Sequence, residues 1–83
     1  VIYKIVSGLI MNKTINYNEI FRNRLKELRQ VQGLRQEDIA LKMQIPVSTY
    51  ANWEQGRREP SIQDIFKLLQ VFDINADELF YLE

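Results

Sequence analysis

The sequence predicts an all-α domain of five helices behind a short N-terminal β arm, and three observations carry that prediction. Apolar residues recur at helical spacing in separate runs: Phe21, Leu25 and Leu28; Ile39, Ala40 and Met43; Ile62, Ile65, Leu68, Leu69 and Phe72. Between the runs stand residues that stop and start helices: Gly33, Pro46, Gly56, and Ser61 followed three residues later by Asp64. The first ten residues, VIYKIVSGLI, have a different texture. They are β-branched and apolar, and Ser7-Gly8 offers a turn near their end.

Taken in order, residues 1–16 form an arm and residues 17–83 the domain. The apolar run of the arm is too short to cross a membrane, and Lys4 sits inside it rather than ahead of it as in a signal peptide. Two readings stay open for this run: a native strand that must pair or pack with something, or an addition ahead of a natural start at Met11. The polar stretch NKTINYN follows, with Asn18 expected to cap the first helix and Glu19 placed near its positive end. That helix should run to about Gln32, with Gly33 as its stop and Leu34 under the next helix.

Two short helices are expected next, at about 36–43 and 47–54, joined by the tight turn Gln44-Ile45-Pro46. Proline suits the first turn of a helix and disfavours helical geometry in the residue before it. Ala40 is small where a second helix must cross closely, which fits an angled pair. In the second of these helices Tyr50 and Trp53 make an apolar face at i,i+3, while Val47, Ser48, Ala51 and Asn52 share the other side. Arg57-Arg58-Glu59-Pro60 then forms a charged loop. Ser61 caps a helix through about Phe72, whose inner side carries Ile62, Ile65, Leu68, Leu69 and Phe72. Asn75-Ala76-Asp77-Glu78 repeats the capping logic for a last short helix with Leu79, Phe80 and Leu82.

Composition narrows the chemistry. The 83 residues, 46% hydrophobic and 27% charged, suit one small globule. Cysteine is absent, which removes disulfides and thiolate metal sites, and histidine is absent, which removes the commonest general base and metal ligand. No catalytic residue, metal site or cofactor is expected; the carboxylate pairs Glu37-Asp38 and Asp77-Glu78 fall in helix first turns, where capping accounts for them. Net charge is zero, but it is unevenly spread. Residues 1–59 hold ten Lys/Arg against six Asp/Glu, a net +4, and residues 60–83 hold one against five, a net −4. A chain so divided can present a positive face to nucleic acid.

The ordered set RLKELRQVQGLRQEDIA, Ala40, Ile45 and WEQGRREPS resembles the lambda-repressor-like (Xre-type) helix-turn-helix DNA-binding family over roughly Phe21 to Phe80. Two places depart from that family's usual pattern. Gln44 stands where it often has glycine, so a side chain would be strained if φ is positive there. Pro46 replaces the usual Ser or Thr N-cap, so a capping bond is lost.

The resemblance implies a set of roles. Val47, Ser48, Thr49 and Asn52 take the places next to base edges in the major groove. There Asn suits a bidentate pair with adenine, Ser can donate or accept, and Val can meet a thymine methyl. Gln36, Arg35, Tyr50, Arg57 and Arg58 fall where phosphate contacts are expected, Gln36 at a helix N-terminus. Tyr50 and Trp53 also fit the core, and the hydroxyl of Tyr50 is the part that would reach phosphate. Arg29 and Glu54 match a buried ion pair between the first helix and the end of the third. Leu79, Phe80, Tyr81 and Leu82 exceed what one short helix buries, and this end commonly makes the dimer contact; the free edge of VIYKIV is the alternative.

The expectation is therefore a sequence-specific regulator of double-stranded DNA, acting as a homodimer on a palindromic operator in the cytoplasm of a bacterium or phage host. The rival from another class is an antitoxin-type module that binds a partner toxin through its acidic third or its arm. An RNA-binding adaptor is disfavoured, because no aromatics interleave the basic residues.

Overall fold

The computed structural model describes residues 16–80, and among them the chain forms five helices and no strand. These are α1 (Tyr17–Val31), α2 (Gln36–Met43), α3 (Val47–Gln55), α4 (Ile62–Phe72) and α5 (Ala76–Phe80). The expected β arm, and the question of Met11, lie outside the described residues.

Each boundary has a local cause. Asn16, in extended geometry, accepts a hydrogen bond from the Glu19 amide at 3.0 Å. The cap is thus Asn16 and not Asn18, which corrects the sequence reading: Asn16 stands three residues before Glu19, the spacing at which a cap side chain meets an N3 amide. Asn18 lies within the first turn. Ser61 and Asp64 form a reciprocal capping box, with bonds of 3.1 Å and 3.0 Å. Asn75 and Glu78 repeat it at α5. Pro46 precedes α3 in extended geometry and supplies no side-chain cap.

The core is built from one stripe of each helix. Leu25 and Leu28 of α1, Ile39, Ala40 and Met43 of α2, Tyr50 and Trp53 of α3, Leu68 and Phe72 of α4, and Leu79 of α5 are buried together. Burying the larger of these side chains stabilises by about 1.5–3 kcal/mol each, Ala40 less, so together they supply the main drive for folding. Phe21, Leu34, Ile45, Ile65 and Leu69 pack around them, partly covered. The helices α2 and α3 cross against each other, α1 packs on α3 and α5, and α4 packs on α2. The Tyr50 and Trp53 rings meet edge to face, with centroids 5.9 Å apart.

Two expectations about the core are overturned. Ile62, expected inside, is 75% exposed. It opens α4 directly after the cap, and the inward set Ile65, Leu68, Leu69 and Phe72 already fills one stripe. With Phe66, one turn on and 65% exposed, it makes an outward stripe instead. Leu79, expected at a dimer contact, is fully buried. The docking of α5 on α1 takes it inward, while the ring of Phe80 stacks on Phe21 at 5.7 Å and remains 36% exposed. Tyr81 and Leu82 lie outside the described residues.

The turn between α2 and α3 passes through Gln44 at φ 59°, in the left-handed region, where it closes α2 with bonds to the Ala40 and Leu41 carbonyls. A β-carbon in that region crowds the backbone, and the side chain of Gln44 is exposed, so it packs little in return. Gln44→Gly should therefore raise the stability of the domain by about 1 kcal/mol. Urea unfolding of the two proteins measures it, and an unchanged or lower midpoint would show that this turn is unstrained.

Candidate nucleic-acid interface

A helix that reads a groove must be fixed on one side and free on the other. In α3 the fixed side is Tyr50 and Trp53, at 0% and 3% exposure. On the opposite side Val47 and Ser48 are exposed, and Thr49 and Asn52 are half-buried. The four residues expected to read bases therefore share the outer face of one helix, toward its N-terminal end.

Behind that face lies a buried carboxylate. Arg29 of α1 donates to Glu54 of α3 through Nε to Oε2 at 2.7 Å and through Nη2 to Oε1 at 3.0 Å. Its Nη1 donates to the Leu34 carbonyl at 3.0 Å, tying the loop after α1 to the same point. Gln36, the first residue of α2, adds a third donor: its Nε2 reaches Glu54 Oε1 at 3.1 Å. The side chains of the pair are 13% and 4% exposed, so the bonds are shielded from water and planar bidentate geometry holds them in register. Burial raises the affinity of Glu54 for a proton, but the donated hydrogen bonds, led by Arg29, outweigh it and hold the carboxyl below its usual range. Arg29 is correspondingly raised, chiefly by its bond to Glu54.

The structure corrects the placement of Tyr50. Its side chain is fully buried, and its hydroxyl is shut in beside Glu54 and Arg29 without a well-formed hydrogen bond. Burial, reinforced by the Glu54 carboxylate, pushes that hydroxyl well above its usual range. It cannot reach a phosphate, because the same face that carries Trp53 carries it into the core. The sequence pointed to the core for both rings, and the core reading holds for both.

The remaining cations sit at the edges. Arg35 precedes α2 and is exposed; its guanidinium lies 3.4 Å from Asp38, whose carboxylate also accepts the Arg35 amide at 2.8 Å. An exposed pair of this kind is weak, so Arg35 can exchange Asp38 for another anion. Arg57 and Arg58 follow α3 and are exposed, and their amides turn back to the Asn52 carbonyl at 3.0 and 3.4 Å. Two residues to which the sequence reading gave no place beside α3 belong here. Asn18 and Arg22 of α1 meet the end of α3, where Arg22 Nη1 donates to the Gln55 carbonyl at 2.9 Å. Their spacing could have revealed them: Arg22 is seven residues before Arg29 and Asn18 four before Arg22, one stripe of α1 facing α3. Among the described residues no helix is long and apolar enough to cross a membrane, and no group of His, Cys, Asp or Glu is placed to hold a metal ion.

Removing one partner of a buried pair strands the other. Glu54→Ala should cost about 3–5 kcal/mol of folding stability, and Arg29→Met with Glu54→Leu should recover much of it. The sign with pH follows from the depressed carboxyl: Glu54 contributes fully above the ordinary value of 4.5, and its contribution is lost as pH falls through its lower folded value. Urea unfolding between neutral and acid pH tests both statements. A single-variant effect below about 1 kcal/mol would reduce the pair to an exposed contact.

Residues 25–79 match the helix-turn-helix family. An uncharacterized HTH-type transcriptional regulator of Methanocaldococcus jannaschii is 32% identical over 62 residues, which make up 75% of this chain and 94% of that protein. The HTH-type transcriptional regulator DdrOP3 of Deinococcus deserti is 41% identical over 56 residues, 68% of this chain; the match spans 43% of that longer relative. In three dimensions the chain is similar to the restriction-modification controller protein C.AhdI from Aeromonas hydrophila, with a TM-score of 0.72 and 38% identity over 76% of this chain and 96% of that one. An α3 held from behind by a buried ion pair, its packing against α2 and these likenesses agree: the chain belongs to the lambda-repressor-like (Xre-type) helix-turn-helix family of DNA-binding transcriptional regulators.

Proposed function

We propose that this protein regulates transcription by binding a palindromic operator as a homodimer, with α3 of each copy in the major groove. The observation that carries the reading is the division of α3 into a buried aromatic side and an outer side of small polar residues. The groove admits one helix, and short side chains let its axis approach the bases. In this reading Asn52 pairs with adenine, Ser48 and Thr49 donate to or accept from neighbouring bases, and Val47, 43% exposed, meets a thymine methyl. Gln36 keeps a second amide N–H beyond the one given to Glu54, directed to phosphate together with the free N–H groups that open α2. Arg35, Arg57 and Arg58 supply charge to the backbone on either side.

The likeness to a controller protein supports a transcriptional regulator over an antitoxin. One domain touches only a few base pairs, so specificity asks for two copies on half-sites about 34 Å apart. With Leu79 inside the domain, the proposed contact between copies moves to the outward stripe of α4, Ile62 and Phe66. A two-fold axis would set each stripe on its own counterpart.

Two experiments test the reading. Asn52→Ala should relax preference at one base pair and cost about 1–3 kcal/mol on the selected operator. Arg57→Ala should weaken all duplexes alike and reduce the salt slope by roughly one. Selection from a random duplex library followed by binding measurements decides it, and equal loss for Asn52→Ala on selected and random DNA would remove the base-reading role. For assembly, sedimentation of Phe66→Asp should show a folded monomer that binds the operator poorly. If that variant stays dimeric, the contact lies on another face.

A further inference from the structure

We infer that Asn18 and Arg22 of α1 clamp the turn at Gly56 and so set where the Arg57–Arg58 loop meets DNA; the inference rests on the phosphate-contacting role proposed for that loop. Four observations meet at this point. First, α3 ends at Gly56 in the left-handed region, φ 76°, and the amides of Arg57 and Arg58 return to the carbonyl of Asn52. The base-facing residue and the loop arginines thus hang on one hydrogen-bonded turn, and a displacement of that turn moves them together.

Second, Arg22 Nη1 donates to the Gln55 carbonyl at 2.9 Å. That carbonyl is one of the last of α3, with no partner inside its own helix, and a cation there is favoured by the helix dipole. Third, Asn18 Nδ2 donates to Glu59 Oε1 at 3.3 Å, on the far side of the loop. Residues 55 and 59 are therefore held by two side chains one turn apart on α1. Fourth, the fit is close. A β-carbon on Gly56 would lie 2.8 Å from Arg22 Nη1 and 2.9 Å from Asn18 Oδ1, so the turn and the clamp touch with no room between them.

The chemistry of Arg22 favours placement over stability. Its Nε is buried without a hydrogen-bond partner, and an unsatisfied buried donor lowers stability. An arginine kept at that cost, with one arm on the end of α3, acts as a positioning residue for the loop.

The test is a double-mutant cycle on the full chain, read with a short random-sequence DNA duplex at several salt concentrations. Arg22→Met keeps the apolar stem and removes the donors; the second change is Arg57→Ala with Arg58→Ala. In the otherwise unchanged protein Arg22→Met should lower duplex affinity roughly tenfold and flatten the salt slope, with its melting transition retained. In the background without the loop arginines it should lower affinity less than twofold, because nothing is left to position. An equal loss in both backgrounds overturns the clamp, since Arg22 would then act by its own contact or through the fold as a whole. A loop variant that binds normally overturns the phosphate role itself and the clamp with it. A loop variant that binds weakly beside an Arg22→Met protein that binds normally overturns the clamp alone.

Discussion

One carboxylate organises this domain. Glu54 sits near the end of α3, nearly out of water, and accepts from Arg29 on α1 and Gln36 on α2, while Arg29 also holds the Leu34 carbonyl in the loop between those helices. A charge in that position is tolerated only when its lone pairs are filled. The requirement fixes the distances among three helices at once. Apolar packing alone allows neighbouring helices to slide and rotate by small amounts; a bidentate pair with a planar fork does not. The value of the pair lies in orientation, and the orientation is that of the outer face of α3.

The same helix shows how the two demands on it are separated. Its aromatic side joins the core and its end joins the carboxylate network, while its first turn and outer side are left to the solvent. Pro46 opens it without a side-chain cap, although its carbonyl accepts from the Thr49 amide at 3.0 Å. At the other end the turn closes tightly, through Gly56 and the amides that fold back on Asn52. Charge follows this plan. Exposed arginines flank the helix pair in sequence, Arg35 before α2 and Arg57 and Arg58 after α3, and the acidic residues of α4 and α5 follow later in the chain.

Much of this was legible in the residues. Period and punctuation placed α2 and α4 within their observed bounds, because a capping box or a proline marks where an amide runs out of partners. The resemblance located Arg29 and Glu54, twenty-five residues apart, which no local pattern could join. The misreadings have physical causes. Asn16 and Asn18 are chemically equal as caps, and the position of Glu19 decided between them through a three-residue spacing. Ile62 shares the helical period of the core residues but falls in a first turn with nothing to cover it. Leu79 looked spare because a five-residue helix has little surface of its own to cover apolar side chains, yet docking on α1 buries one and stacks another. Tyr50 has a polar tip, and its sequence neighbours cannot say that the tip points inward. The third donor to Glu54 and the grip of α1 on Gly56 are tertiary facts, visible only once the helices are in place.

The division of labour in α3 bears on how such a protein can change over generations. The groups that hold the frame, Arg29, Gln36 and Glu54, and the rings of Tyr50 and Trp53 lie behind the helix, while Val47, Ser48, Thr49 and Asn52 lie before it. With the outer four in the base-reading role proposed for them, a substitution among them would alter which base fits without disturbing the carboxylate or the core. On that proposal new target sequences would be reachable by single steps, each leaving a folded protein. The buried pair has the opposite character: losing either half alone strands the other. What holds the helix from behind is separate from what its front presents to the solvent.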